Sequence, residues 1–140
     1  MRFLLDTNVI SAVTKPQPPP SLLEWMAERD DAELFVASLT VGKIRRGILQ
    51  MPLGKRRDAL NAWFDGPEGP LLLFAGRILP FDDSTALVWA ELMAEGVKRG
   101  RPRSALDTII AAVAIANNCV VATDNGRDFS GVEVVNPLRT

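Results

Sequence analysis

The chain has 140 residues, 47% of them hydrophobic and 24% charged, with a formal net charge of −1. That balance describes one globular domain with room for a buried core, and it excludes a disordered chain or a uniformly basic nucleic-acid coat. No histidine is present, which excludes a Ser-His-Asp triad, a zinc site of the usual His/Cys kind and histidine acid–base chemistry.

In chain order, Arg2–Leu5 reads as a short buried strand and Asp6–Thr14 as a turn into a short helix. Pro16–Pro20 is a stiff connector, because each proline fixes its own backbone and biases its predecessor away from helix. Ser21-Leu22-Leu23-Glu24 has the form of a capping box and predicts a helix from Ser21 to about Arg29. Glu33–Ala37 is a second strand. Ser38 or Thr40 caps the next helix, to about Met51, Lys55–Phe64 supplies another, and Gly66–Pro70 is a loop. Ile78–Phe81 is a weaker strand, and Pro80 argues that it is an edge strand or ends there. Asp82 or Asp83 caps a helix to about Lys98, stopped by Gly100. The segment Ser104–Asn118 is helical and apolar nearly all round from Ala105 onward, so it is buried on most sides. Val120–Ala122 is a strand, Thr123–Ser130 a polar loop and Val132–Val135 a last strand. The one cysteine, Cys119, lies in the apolar run before Val120, where a buried structural thiol is expected. It allows no intrachain disulfide, which fits a cytoplasmic location in a reducing compartment. Phe3-Leu4-Leu5 is far too short for a signal-peptide core or a membrane span, so no membrane attachment is expected.

Strands alternating with helices imply βαβ units and a mainly parallel sheet with helices on both faces. In such sheets ligands bind beyond the carboxyl ends of the strands, where strand order reverses. Residues just after strands are therefore candidates for a site. Asp6 follows the first strand, Asp124, Asn125 and Asp128 follow the fourth, and Asp107 stands in the first turn of an otherwise apolar helix. Each has an ordinary explanation: a cap for Asp6, turn residues after the fourth strand, and a Ser104-x-x-Asp107 box. Together they converge on one sheet edge, where carboxylates without a cation repel and raise each other's pKa values. An oxygen-only donor set suits Mg²⁺ or Mn²⁺, and such a cation supports hydrolysis of a phosphodiester with only the residue types this chain owns.

The stretches LLDTNVIS, SLTVGKIRRGI, FAGRILPFD, SALDTIIAAVA, VVATDNGRDF and VVNP resemble, in order and spacing, the PIN-domain ribonucleases. The closer likeness is to the VapC toxins of VapBC toxin–antitoxin modules, and it covers essentially the whole chain as a single domain, 1–140. The resemblance implies a three-layer α/β/α sandwich around a mainly parallel twisted sheet, a Mg²⁺ or Mn²⁺ site and cleavage of RNA. It also implies a homodimer and a cognate VapB-type antitoxin that covers the site. By position, Asp6 and Asp107 would be acidic metal ligands. Asn125 falls where the family has a fourth acid or an Asn, with Asp124 beside it as a substitute. Asn8 and Thr123 would orient the carboxylates.

One position departs from the family pattern, because its second acid should stand where this chain has Lys43. If Thr40 is the N-cap, Lys43 occupies the position at which a Glu would complete a capping box, and a cation there opposes the helix dipole. Lys43 reads as a loss, natural or introduced, that leaves a weakened or dead nuclease, or else as a lysine pointing to solvent. In the first case an ammonium near Asp6 and Asp107 would pair with them and lower metal affinity.

Two other functions stay open on the residues: a catalytically dead PIN module kept to bind an antitoxin, and a phosphohydrolase with Asp6 as nucleophile. The second usually wants a carboxylate two residues on, where this chain has Asn8. Among the basic clusters, Arg45 and Arg46 lie near the site and Arg101 and Arg103 flank the loop before Asp107. These four are the candidates for RNA phosphates, against a reading as solvated surface. Trp25, Trp63 and Trp89 occupy apolar helical positions and are expected in the core or a dimer contact.

Overall fold

A computed structural model describes residues 1–14 and 16–139; Lys15 and Thr140, the latter ending the expected domain, lie outside the described residues. Five parallel strands form one sheet in the order β3-β2-β1-β4-β5. They are β1 (Arg2–Leu5), β2 (Leu34–Ala37), β3 (Ile78–Leu79), β4 (Cys119–Ala122) and β5 (Val134–Val135). The helices are α1 (Thr7–Val13), α2 (Pro20–Ala27), α3 (Ser38–Leu49), α4 (Lys55–Asp65), α5 (Pro70–Leu73), α6 (Asp83–Lys98) and α7 (Ala105–Ala116).

Strand alternation divides the core in two. Phe3, Leu5, Leu34, Val36, Val120 and Ala122 point to one face and pack with Val9, Ile10, Leu22 and Phe74 from α1, α2 and the α5 turn. Leu4, Ala37, Cys119 and Val121 point to the other, against Ile110, Ala111, Val113 and Ala114 of α7. Both sheet faces are thus covered, and the expected three-layer α/β/α sandwich is what the chain forms. The all-round apolar character of α7 has its reason here, since α7 is held between the sheet and α6. Edge strand β3 is only Ile78–Leu79 and stops at Pro80, as a proline that cannot donate to a ladder requires.

Several boundaries differ from the sequence reading. The Ser21 capping box does not form, because α2 starts one residue earlier with Pro20 in its first turn, where proline's fixed φ is already helical. Glu33 is not in β2; it closes a short 3₁₀ turn, Asp31–Glu33, and its Oε1 accepts from the Asp30 N–H at 3.0 Å. Neither Ser38 nor Thr40 caps α3. The helix leaves β2 directly, with Ala37 as its N-cap and no side-chain cap bond. Pro70 begins the short helix α5 where only a loop was expected, and a 3₁₀ turn, Gly126–Phe129, organises the polar loop after β4.

The α6–α7 connection is tightly built. The Arg101 N–H donates to Gly96 O at 2.8 Å and the Gly100 N–H to Val97 O at 3.0 Å. With Gly100 at φ +68°, this is a Schellman ending of α6. Among the described residues no helix is long and apolar enough to cross a membrane.

Candidate active site

Strand order reverses at β1, with β2 and β3 on one side and β4 and β5 on the other. The parallel register pairs Leu5 with Ala122, so the next residues, Asp6 and Thr123, emerge side by side at the carboxyl edge. Asp6 is 7% exposed, and a carboxylate that buried needs partners. Its Oδ1 accepts the Thr7 N–H at 2.8 Å, capping α1. Its Oδ2 accepts the Thr123 hydroxyl at 2.9 Å and Asn8 Nδ2 at 3.4 Å.

Thr123 is the hub of this network. Besides donating to Asp6, its Oγ1 accepts from Asn8 Nδ2 at 3.2 Å and from the Asn125 N–H at 3.0 Å. Asn8 Oδ1 in turn accepts the Asp124 N–H at 3.3 Å. Asn8 and Thr123 therefore orient Asp6 and also tie the loop after β4 to the start of α1.

Asp6, Asn8, Lys43, Asp107, Asp124 and Asn125 line a single cleft of about 510 Å³, together with Thr7 and Ser11. Asp107 is positioned in the first turn of α7, where Ser104 caps the helix and accepts the Asp107 N–H at 3.4 Å. An acid in the first turn of a helix is also favoured by the helix dipole. The Asp107 carboxylate is half-buried and makes no hydrogen bond or ion pair among the described residues. Asp128 does not join this cleft; it lines a neighbouring one with Arg101, Arg103 and Arg127.

The cleft's donors suit a hard divalent cation. Asp6 uses three of about four carboxylate lone-pair positions on protein donors, leaving one on Oδ1. The Asp107 carboxylate is free, and the buried Thr7 Oγ1 beside them has no partner among the described residues. Magnesium commonly takes one or two carboxylates and completes its shell with water. No group of three or more His, Cys, Asp or Glu side chains arranged to hold a metal occurs among the described residues.

Lys43 lines the cleft and is half-buried, but two expectations about it are corrected. It is the sixth residue of α3, beyond the first turn, so neither the capping-box argument nor a dipole penalty applies. Nor does its ammonium pair with Asp6 or Asp107, for no Lys43 ion pair within 4.0 Å exists among the described residues.

The basic candidates separate into two groups. Arg45 is turned to α4: its Nη1 donates to Asn61 Oδ1 at 2.5 Å and its guanidinium lies 5.4 Å from the Phe64 ring centroid. Arg46 is exposed on α3 and does not line the acidic cleft. Arg101 and Arg103 do face the site region, where Arg127 joins them. Arg127 escaped the sequence reading because its relation to Arg101 is purely tertiary, although it lies inside VVATDNGRDF. The tryptophans are structural. Trp25 meets Phe3 edge-on at 5.0 Å, Trp63 packs against the core, and Trp89 Nε1 donates to Ala105 O at 3.3 Å.

Residues 3–135 match the family model described as PIN domain. The chain is 37% identical over 137 residues to VapC ribonuclease Y4jK of Sinorhizobium fredii, covering 96% of each. It is 36% identical over 137 residues to toxin FitB of Neisseria gonorrhoeae, covering 96% of this chain and 97% of that protein. The crystal structure of FitAcB from Neisseria gonorrhoeae superposes with a TM-score of 0.89 at 34% identity, covering 99% of both chains.

Proposed function

Given that the chain belongs to the PIN-domain family, we propose that it is a toxin–antitoxin module's toxin, built to hydrolyse RNA phosphodiesters and weakened by Lys43. The observation that carries this reading is that Asp6 and Asp107 line one cleft at the carboxyl edge of the sheet. The similarity to a protein named VapC ribonuclease and to a protein named toxin FitB supports both halves of it.

In this reading Asp6 and Asp107 hold a Mg²⁺ or Mn²⁺ ion, with Asn125 or Asp124 completing the polar wall. When bound, such an ion acidifies water and offsets charge on the phosphate under attack. The chain's own residues set the stage for it. Thr123 and Asn8 fix the Asp6 carboxylate in one orientation, as outer partners of metal ligands do. Asp107 keeps both oxygens free toward the cleft. Lys43 adds a positive charge where a cation must enter, which lowers cation affinity by like-charge repulsion, and it supplies no carboxylate in return.

A second reading is favoured by Lys43 itself: a PIN module whose working role is to dimerise and hold its antitoxin, with little nuclease activity. Cleavage of single-stranded RNA in Mg²⁺ or Mn²⁺, compared among the chain, Lys43→Glu and Asp6→Asn, tests the two. The toxin reading expects low activity in the chain, a rise in Lys43→Glu and none in Asp6→Asn. No cleavage by Lys43→Glu, with its fold intact, leaves the binding-module reading standing.

A further inference from the structure

We propose that the arginine-lined cleft beside Asp107 is a track for the RNA backbone, holding phosphates next to the cleavage site without reading bases. The inference rests on the ribonuclease reading and deepens it. Two clefts share Asp107 as a common wall: the acidic one with Asp6, and a second of about 530 Å³ lined by Arg99, Arg101, Arg103 and Arg127. A strand whose scissile phosphate sits at the acidic cleft and which leaves past Asp107 meets these arginines.

The second cleft is a constructed surface. The Schellman ending of α6 fixes the backbone of Arg101 through its bond to Gly96 O. Gly96 also lets the chain fold back closely, since a Cβ there would lie 2.8 Å from Arg101 O and 3.1 Å from Arg103 Cγ. Arg103 spans the gap between walls, donating from Nη2 to Ser130 O at 2.9 Å. Arg127 comes from the 3₁₀ turn opposite.

The charge distribution favours an anion. Of the carboxylates in this cleft, Glu95 is already paired with Arg99 at 2.5 Å and Asp107 belongs to the acidic site. Arg101 and Arg127 are exposed and make no ion pair among the described residues, with Asp128 the remaining acid. Guanidinium groups match phosphate oxygens as planar forks. Among the described residues no aromatic side chain lines the cleft, and aromatic side chains are the platforms on which single-stranded bases stack. Phosphate binding of this kind positions a strand but carries no sequence information.

The test is the affinity of fluorescently labelled oligo(U) and oligo(A), measured by anisotropy in EDTA so that nothing is cleaved, across a salt series. Arg101→Glu and Arg127→Glu, on different elements, are compared with the chain and with Lys55→Glu, an exposed lysine outside both clefts. Each cleft variant should bind both RNAs at least about tenfold more weakly, and its log–log salt slope should become shallower by about 0.7 for every phosphate that the substitution leaves unneutralised. Lys55→Glu should stay within about twofold of the parent. If the parent binds RNA and the cleft variants behave like Lys55→Glu, the track is wrong while the ribonuclease reading survives. A loss confined to one RNA overturns backbone-only recognition, and a parent that binds neither RNA overturns the track, the ribonuclease reading being decided by the cleavage assay of Lys43→Glu.

Discussion

The Thr123 hydroxyl donates to Asp6 Oδ2 at 2.9 Å, joining residues 117 positions apart in the chain. The pairing of Leu5 with Ala122 in adjacent parallel strands places them, and the bond is buried. Thr123 satisfies three groups at once: Asp6, Asn8 and the Asn125 N–H.

Thr123→Val keeps the shape and removes the hydroxyl, leaving those groups short of a partner in a site that is 1% exposed at Thr123. The expected cost is about 1–3 kcal/mol, read as a lower urea midpoint at unchanged slope. An unchanged midpoint would show that the hydroxyl does not hold the edge together.

Gly96→Ala sets two effects of opposite sign against each other. Alanine is favoured over glycine in a helix interior by about 1 kcal/mol. The added Cβ, however, would lie 2.8 Å from Arg101 O, a backbone atom of the residue whose N–H is bonded to Gly96 O. Overpacking of this kind costs about 1–3 kcal/mol, so net destabilisation is expected. Thermal unfolding checks the sign, and a raised melting temperature contradicts it.

Acid should remove one helix cap. Asp82 accepts the Thr85 N–H at 3.0 Å, and that bond above all holds its carboxyl below the ordinary aspartate value of 3.8. A folded-state pKa that is depressed adds stability above the unfolded value and loses it as pH falls through the folded one. The difference in melting temperature between the parent and Asp82→Ala should therefore be larger at pH 7 than in strong acid. A difference that grows on acidification runs against this assignment.

Cys119 is 7% exposed at the start of β4, and burial pushes its thiol above the ordinary value. Thiolate is the reactive form, so a disulfide reagent at neutral pH should modify the native chain slowly and the urea-unfolded chain at once. Equal rates in the two states would mean that β4 opens readily.

Much of this architecture was legible in the sequence because short apolar runs followed by small polar residues have few other uses in an alternating chain. The core strands, the Asp82 and Ser104 caps and the Gly100 stop are set by local chemistry that propensity rules capture. The missed boundaries are places where two local signals compete. Pro20 outcompetes Ser21 as the start of α2, and α3 springs from Ala37 although Ser38 and Thr40 both resemble caps. In the candidate site, Asp6, Asn8, Asp107, Asp124 and Asn125 line one cleft, and Thr123 bonds to Asp6 behind it. The sharing of one cleft by Arg127 and Arg101, and the turning of Arg45 toward Asn61, follow from tertiary packing that no spacing reveals.

The proposed function turns on Lys43, which lines the cleft with Asp6 and Asp107 yet pairs with neither. An equilibrium Mn²⁺ titration of the parent and of Lys43→Glu, followed by calorimetry, addresses it most directly. The substitution removes a repelling charge and adds a carboxylate, so Mn²⁺ should bind Lys43→Glu at least about tenfold more tightly, about 1.4 kcal/mol. Equal Mn²⁺ affinity in the two proteins would contradict this role for Lys43.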